Sequence, residues 1–187
     1  YGDASAVPDT PAATVPVPMA AAEALGFAAT ARLVDLRRTE GGFLLRGQPN
    51  QDGAYALSGL PAPARETVVL QATMQRRVTD GVSNGFLAVA PVGKPDDLLR
   101  GGVFIRNGQY LLQHGSHTLA STPAVIDADQ RFALRLSIDL QRRGVGLTVD
   151  GTQVSGALPA GWDAIGYVGY SLNRTATEFS ALEITSR

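Results

Sequence analysis

The sequence predicts an all-β protein: two antiparallel sheets packed as a sandwich behind an extended N-terminal arm. Three observations carry that prediction. Several runs alternate apolar and polar residues with a period of two, as strands buried on one face do. Gly, Asn and Asp separate those runs, and convincing helical patterns are few. No unit recurs at a fixed spacing, which sets aside propellers and solenoids.

The arm comes first. Residues 1–20, "YGDASAVPDTPAATVPVPMA", are rich in Pro, Ala and small polar residues. Proline removes backbone donors and favours extended chain, so the segment reads as a tether or as an arm that packs on its own domain or a neighbour. "MAAAEALGF" (19–27) joins good helix formers to a glycine stop and predicts a short helix ending near Gly26. Residues 1–30 are assigned to this Pro/Ala-rich arm and 31–187 to the sandwich. The chain opens on Tyr1, as expected after removal of a leader or in a piece of a longer protein.

Strands are expected from Phe43 onward. In "TVVLQATM" (67–74), Val68, Leu70, Ala72 and Met74 share one face. Val69, Gln71 and Thr73 share the other, which Gln75 and Arg77 extend. "VFIRNGQYLL" (103–112) sets Asn107-Gly108 between two strand-like halves, a two-residue hairpin signal because both types accept positive φ. "RFALRLSIDL" (131–140) sends Phe132, Leu134, Leu136, Ile138 and Leu140 inward and Arg131, Arg135, Ser137 and Asp139 outward. "VGLTVDGTQV" (145–154) repeats the hairpin device at Asp150-Gly151, where Asp tolerates the left-handed conformation and can bond nearby backbone.

Composition narrows the function classes. The chain has 187 residues, 44% hydrophobic and 18% charged, enough for one domain with a real core. A net charge of −1 gives no general attraction to nucleic acid or anionic membrane. No apolar run approaches the ~18 residues that a membrane-spanning helix needs. Without cysteine there is no disulfide, thiolate nucleophile or Cys-based metal site. Lys94 is the only lysine beside many arginines, the bias of a GC-rich bacterial genome.

The C-terminal third is more specific. "LRLSIDLQRRGVGLTVDGTQVSG" followed by "IGYVGYSLNRTATEFSALEI" runs strand, basic turn, strand, Asp-Gly, strand, glycine-bearing strand and a closing strand with Phe179, Leu182 and Ile184. This order resembles the end of a concanavalin A-like jelly roll, in the broad laminin-G-like and 3-keto-disaccharide-hydrolase-like group. The resemblance is best over residues 130–187 and absent over 1–40. It implies a two-sheet antiparallel jelly-roll sandwich. The "LFNG…GW" opening of the hydrolase branch is missing. The group includes lectins, carbohydrate-binding modules, glycosidases and protein-binding modules, so the fold does not choose a function.

A glycosidase needs two carboxylates about 5–10 Å apart. Glu178 and Glu183, five apart, fall on opposite faces of a regular strand, and no catalytic residue is assigned. A hydrolase would have to draw acids from separate loops: Asp80, Asp96, Asp97 and Asp163. Asp127 and Asp129 in "IDADQ" form a candidate calcium loop, the one cofactor considered. His114 and His117 in "QHGSH" lack an implied third metal ligand and read as surface polar residues. Asn173-Arg174-Thr175 fits a glycosylation sequon by coincidence.

The favoured reading is a non-catalytic, lectin-like domain of a secreted, periplasmic or cell-surface bacterial protein, with a glycan or polysaccharide as partner. Its expected site is a polar sheet face carrying Gln71, Thr73, Gln75, Arg77, Arg131 and Arg135, with Tyr110 or Trp162 as the aromatic platform (Tyr167 and Tyr170 in reserve). The alternatives are an assembly domain of a filament, coat or adhesin that self-associates through its arm, and a glycoside hydrolase.

Overall fold

Alternation in the sequence becomes alternation in burial. The computed structural model describes residues 15–76, 84–127 and 130–187. Among them a helix, α1 (Met19–Ala24), precedes β1 (Ala29–Ala31), β2 (Leu33–Arg38), β3 (Gly42–Gly47), β4 (Ala54–Ala64) and β5 (Thr67–Arg76). The middle of the chain forms β6 (Asn84–Pro91), β7 (Leu99–Phe104), β8 (Gln109–His114), β9 (His117–Pro123) and β10 (Arg131–Asp139). The last strands are β11 (Gly144–Val149), β12 (Thr152–Ala157), β13 (Ile165–Leu172), β14 (Ala176–Ser180) and β15 (Glu183–Ser186).

They form two sheets. Sheet A has the order β1-β4-β13-β6-β7-β8-β9. Sheet B has the order β12-β11-β10-β5-β14-β3-β2, with β15 also beside β5. Non-sequential neighbours such as β4-β13-β6 and β10-β5-β14 are antiparallel crossovers of a jelly roll.

The core lies between the sheets. On β5, Val68, Leu70, Ala72 and Met74 are buried, and on β10 so are Phe132, Leu134, Leu136 and Ile138, as their alternation predicts. From sheet A come Leu87, Val89, Leu99, Val103 and Leu112. A methyl group at Gly101 of β7 would come within 2.9–3.2 Å of Leu112, Leu136 and Leu147 carbons, so glycine there lets the sheets close.

The chain enters through a packed segment. The amide of Val17 donates to the Leu33 carbonyl at 2.8 Å, and Ala22 of α1 and Phe27 are buried in the core. Phe27 meets the rings of Phe43 and Tyr170 at 5.0 and 6.3 Å, and Gly26, at φ +91°, ends the helix as expected. Residues 1–14, the Pro-rich part of the arm, lie outside the described residues. Strands begin earlier than Phe43: β1 has three residues, and β2 has a register break between Leu33 and Asp35 that disrupts its alternation.

The two predicted hairpins differ. Asp150 and Gly151 take φ +47° and +86°, a two-residue turn between the paired Val149 and Thr152. Asp150 also accepts the Ala133 amide (2.8 Å) and the Gln130 side-chain amide (3.1 Å), pinning this hairpin to the start of β10. It is a structural staple. The Asn107-Gly108 turn is longer than expected: Phe104 pairs with Gln109 around four residues. Only Gly108 of the two has positive φ, and its amide bonds the Ile105 carbonyl at 3.0 Å.

Candidate functional site

Sheet A carries a covered outer face. Tyr55, Leu57, Ala88, Ala90 and Leu98 form a second small core there, on the side of the sheet away from the main one. Leu98 and Asp96 belong to the loop between β6 and β7, which folds back over the sheet. The Tyr55 hydroxyl donates to Asp96, and the Gly115 amide bonds the Leu98 carbonyl at 3.0 Å, tying this loop to the turn between β8 and β9. Burial, reinforced by the Asp96 carboxylate, pushes the Tyr55 hydroxyl well above its usual range.

The result is an open groove of about 790 Å³ across β4, β7 and β8. Phe104, Gln109, Leu111 and Gln113 line one part, and Tyr55, Arg32 and Asp52 another. Arg32 donates to the Asp52 carbonyl at 3.1 Å, while the Asp52 carboxylate takes Arg174 at 2.8 Å.

Arg100 of β7 is the unusual residue. It lines the groove yet is only 5% exposed. Pairing places it between Ala88 of β6 and Gln113 of β8, and its guanidinium lies 4.2 Å over the Phe86 ring. Nε and Nη2 donate to Gln113 Oε1 at 3.1 and 2.8 Å. Nη1 donates to Ser171 Oγ at 3.1 Å and Asn173 Oδ1 at 2.8 Å. Those acceptors are braced in turn: Ser171 donates to the Ala54 carbonyl, and Asn173 Oδ1 also takes the Gly53 amide, both at 2.8 Å. Burial lowers Arg100 to about 10, with the charge of Asp52 working the other way.

The residues singled out from sequence fall elsewhere. Gln71, Thr73, Gln75, Arg131 and Arg135 do share one face, the outer face of sheet B, with Arg131 opposite Gln75 and Arg135 opposite Gln71. Arg131 donates to Gln75 at 3.4 Å, and Thr73, Gln75 and Arg131 border a depression of about 100 Å³. Arg77 and Asp129 lie outside the described residues, as does Asp80. Two aromatic expectations need correction: Trp162 and Tyr110 are 1% and 7% exposed, held in the core, so neither offers a ring face to solvent. Tyr170 is likewise buried.

Other expectations resolve locally. His114 is half-buried rather than a surface residue: it bonds Asp97 at 2.5 Å and meets the Trp162 ring edge-on at 5.7 Å. The Asp127 amide donates to Gln130 Oε1 at 3.2 Å, and among the described residues no three His, Asp or Glu side chains converge as metal ligands. Glu178 and Glu183 are on the same face, not opposite ones, because the break between β14 and β15 sets them beside Gln75 and Gln71. Four residues of strand separate those partners, about 13 Å, beyond the spacing of a glycosidase pair. Asn173 is 4% exposed with its amide oxygen engaged, which leaves no access for glycosylation in the folded domain.

Of the described acids named for a hydrolase, Asp96 lines the groove and Asp97 and Asp163 do not; the sequence does not single out Arg100, Gln113, Ser171, Asn173 or Phe104. The signal for Arg100 was present: a lone charge inside the apolar run "LLRGGVF" must be paired or hydrogen-bonded if that strand is buried.

No family model matches the chain, and no curated protein matches it. Solved structures do. A carbohydrate-binding module, CBM66 from Bacillus subtilis, aligns with TM-score 0.68 at 13% identity, covering 86% of this chain and 96% of that one. Lectin I-B4 from Griffonia simplicifolia, in its metal-free form, gives TM-score 0.58 at 10% identity over 82% of this chain and 91% of the lectin. A Bacillus subtilis protein of unknown function with a galectin-like fold gives 0.52 at 12% identity, over 77% and 82% of the two chains. At these identities the likeness speaks for architecture: the chain has the concanavalin A-like jelly-roll fold.

Proposed function

We propose that the chain is a non-catalytic carbohydrate-binding domain of a secreted or periplasmic bacterial protein, and that it holds its glycan in the groove of sheet A. The observation that carries this reading is the groove's lining. Phe104, half-buried, offers an apolar surface beside Gln109, Gln113 and Asn173, whose planar amides suit ring hydroxyls. A volume of about 790 Å³ falls in the range of small-ligand sites and leaves room for more than one sugar ring. Similar folds in a carbohydrate-binding module and a plant lectin support the assignment.

The test is a glycan array on the purified chain, with and without calcium. Saturable binding to one glycan class, weakened by Phe104→Ala, is the expected result; no binding in either buffer rejects the reading. The two buffers also test calcium at the Asp127 loop. Asp52 and Asp96 lining the same groove favour a second reading, a hydrolase, although Asp52 is held by Arg174 and Asp96 by Tyr55. Release of shorter sugars from a bound glycan would establish that alternative.

A further inference from the structure

The polar groups around Arg100 all turn the same chemistry toward the groove. Arginine has only donors, so each amide facing it must present oxygen. Gln113 therefore gives its Oε1 to Arg100, and Asn173 gives its Oδ1 to Arg100 and to the Gly53 amide. What remains on each is its NH2 group, and neither donates a hydrogen bond to another described residue. Arg100 itself uses four of its five N–H groups in these bonds, leaving one on Nη2. Ser171, fully buried, donates its hydroxyl to Ala54 and accepts from Arg100, so it presents nothing to the groove. Gln113 approaches from β8 and Asn173 from the end of β13, so free donors flank the guanidinium on both sides.

Charge points the same way. None of the three acceptors of Arg100 is a carboxylate, although the residue is 5% exposed. The groove's own acids are occupied, Asp52 by Arg174 and Asp96 by the Tyr55 hydroxyl. A nearly buried cation whose hydrogen-bond partners are all neutral, with Asp52 acting on it only through its charge, is complementary to an anion with several acceptor lone pairs.

We propose that the groove contains a carboxylate subsite, in which the acid group of a sugar residue docks on Arg100 between the side-chain amides of Gln113 and Asn173. This rests on the glycan-binding reading above and narrows it to acidic polysaccharides. Neutral sugars of the same linkage lack the acceptor charge that the cluster complements.

The experiment compares uronic-acid oligosaccharides, the same oligosaccharides with carboxyls reduced to alcohols, and a neutral panel, by calorimetric titration of the wild-type chain. Binding of the acidic form about tenfold or more tighter than the reduced form is expected, as for a hydrogen-bonded ion pair. Gln113→Glu supplies the anion internally, with nearly the same shape. It should keep the melting temperature and lose that preference. Equal affinity for acidic and reduced forms, or an acid preference that survives Gln113→Glu in a folded variant, overturns the carboxylate subsite while leaving a glycan site standing. Binding of no oligosaccharide of any class overturns both.

Discussion

The two outer faces of this sandwich are both built from strands with polar residues in alternate positions, yet they differ in burial. On sheet B, Gln71, Arg131 and Arg135 are exposed, and the face carries a small depression of about 100 Å³. On sheet A, Tyr55, Arg100, Ser171 and Asn173 are buried, because the β6–β7 loop covers the sheet and Arg100 lies on Phe86. Exposed polar residues are what any sandwich needs for solubility. Polar residues buried in a braced network demand a reason. The comparison shows why a face rich in Arg and Gln is weaker evidence for a site than one enclosed Arg.

That contrast can be broken in graded steps. The largest loss should come from what both sheets share: Leu136→Ala, fully buried between them, is expected to lower unfolding free energy by about 2–5 kcal/mol in chemical denaturation. A near-native transition would show that β10 is out of register. Next is Arg100→Met, which leaves the inward-facing oxygens of Gln113 and Asn173 short of a donor. A loss of about 1–3 kcal/mol is expected, partly offset by relief from burying a cation. An unchanged or raised stability would mean that the network exists for binding alone.

Acidity tests the same residue differently. With Arg100 lowered from its usual range to about 10, the guanidinium stays charged below that value, and the fold carries its desolvation penalty. The penalty lifts as pH rises above about 10, so this group's contribution to stability increases there while its attraction for an anion fades. Affinity for an acidic glycan is therefore expected to be level from about pH 6 to about pH 9 and to fall beyond that. A midpoint near pH 7, followed by fluorescence titration, would transfer the role to a histidine. The smallest effect belongs to sheet B: Arg135→Ala should change stability by less than about 0.5 kcal/mol in thermal melts.

How much of this was legible in the sequence follows from the same contrast. β5 and β10 could be read, faces included, because each is buried on one side only and alternates cleanly. The Asp150-Gly151 turn was legible because its two positive φ angles demand those residue types. β6, by contrast, is buried along its whole length, and "NGFLAVAP" shows no period from which a face could be assigned. The groove was hidden for a related reason. It is assembled from β4, β7, β8 and the end of β13, with Tyr55, Arg100, Gln113 and Asn173 brought together by crossovers that no local spacing records. Sequence does not tell a core ring from a groove ring: Trp162 and Tyr110 fill the core, whereas Phe104, near a turn, reaches the groove.

The most direct test sets one face against the other. The glycan that binds best on the array would be titrated calorimetrically into wild-type chain, Phe104→Ala and Arg135→Ala. A groove on sheet A requires about tenfold or greater weakening in Phe104→Ala and less than about twofold change in Arg135→Ala. The reverse pattern, with Arg135→Ala crippled and Phe104→Ala intact, would move the site to sheet B and contradict this account.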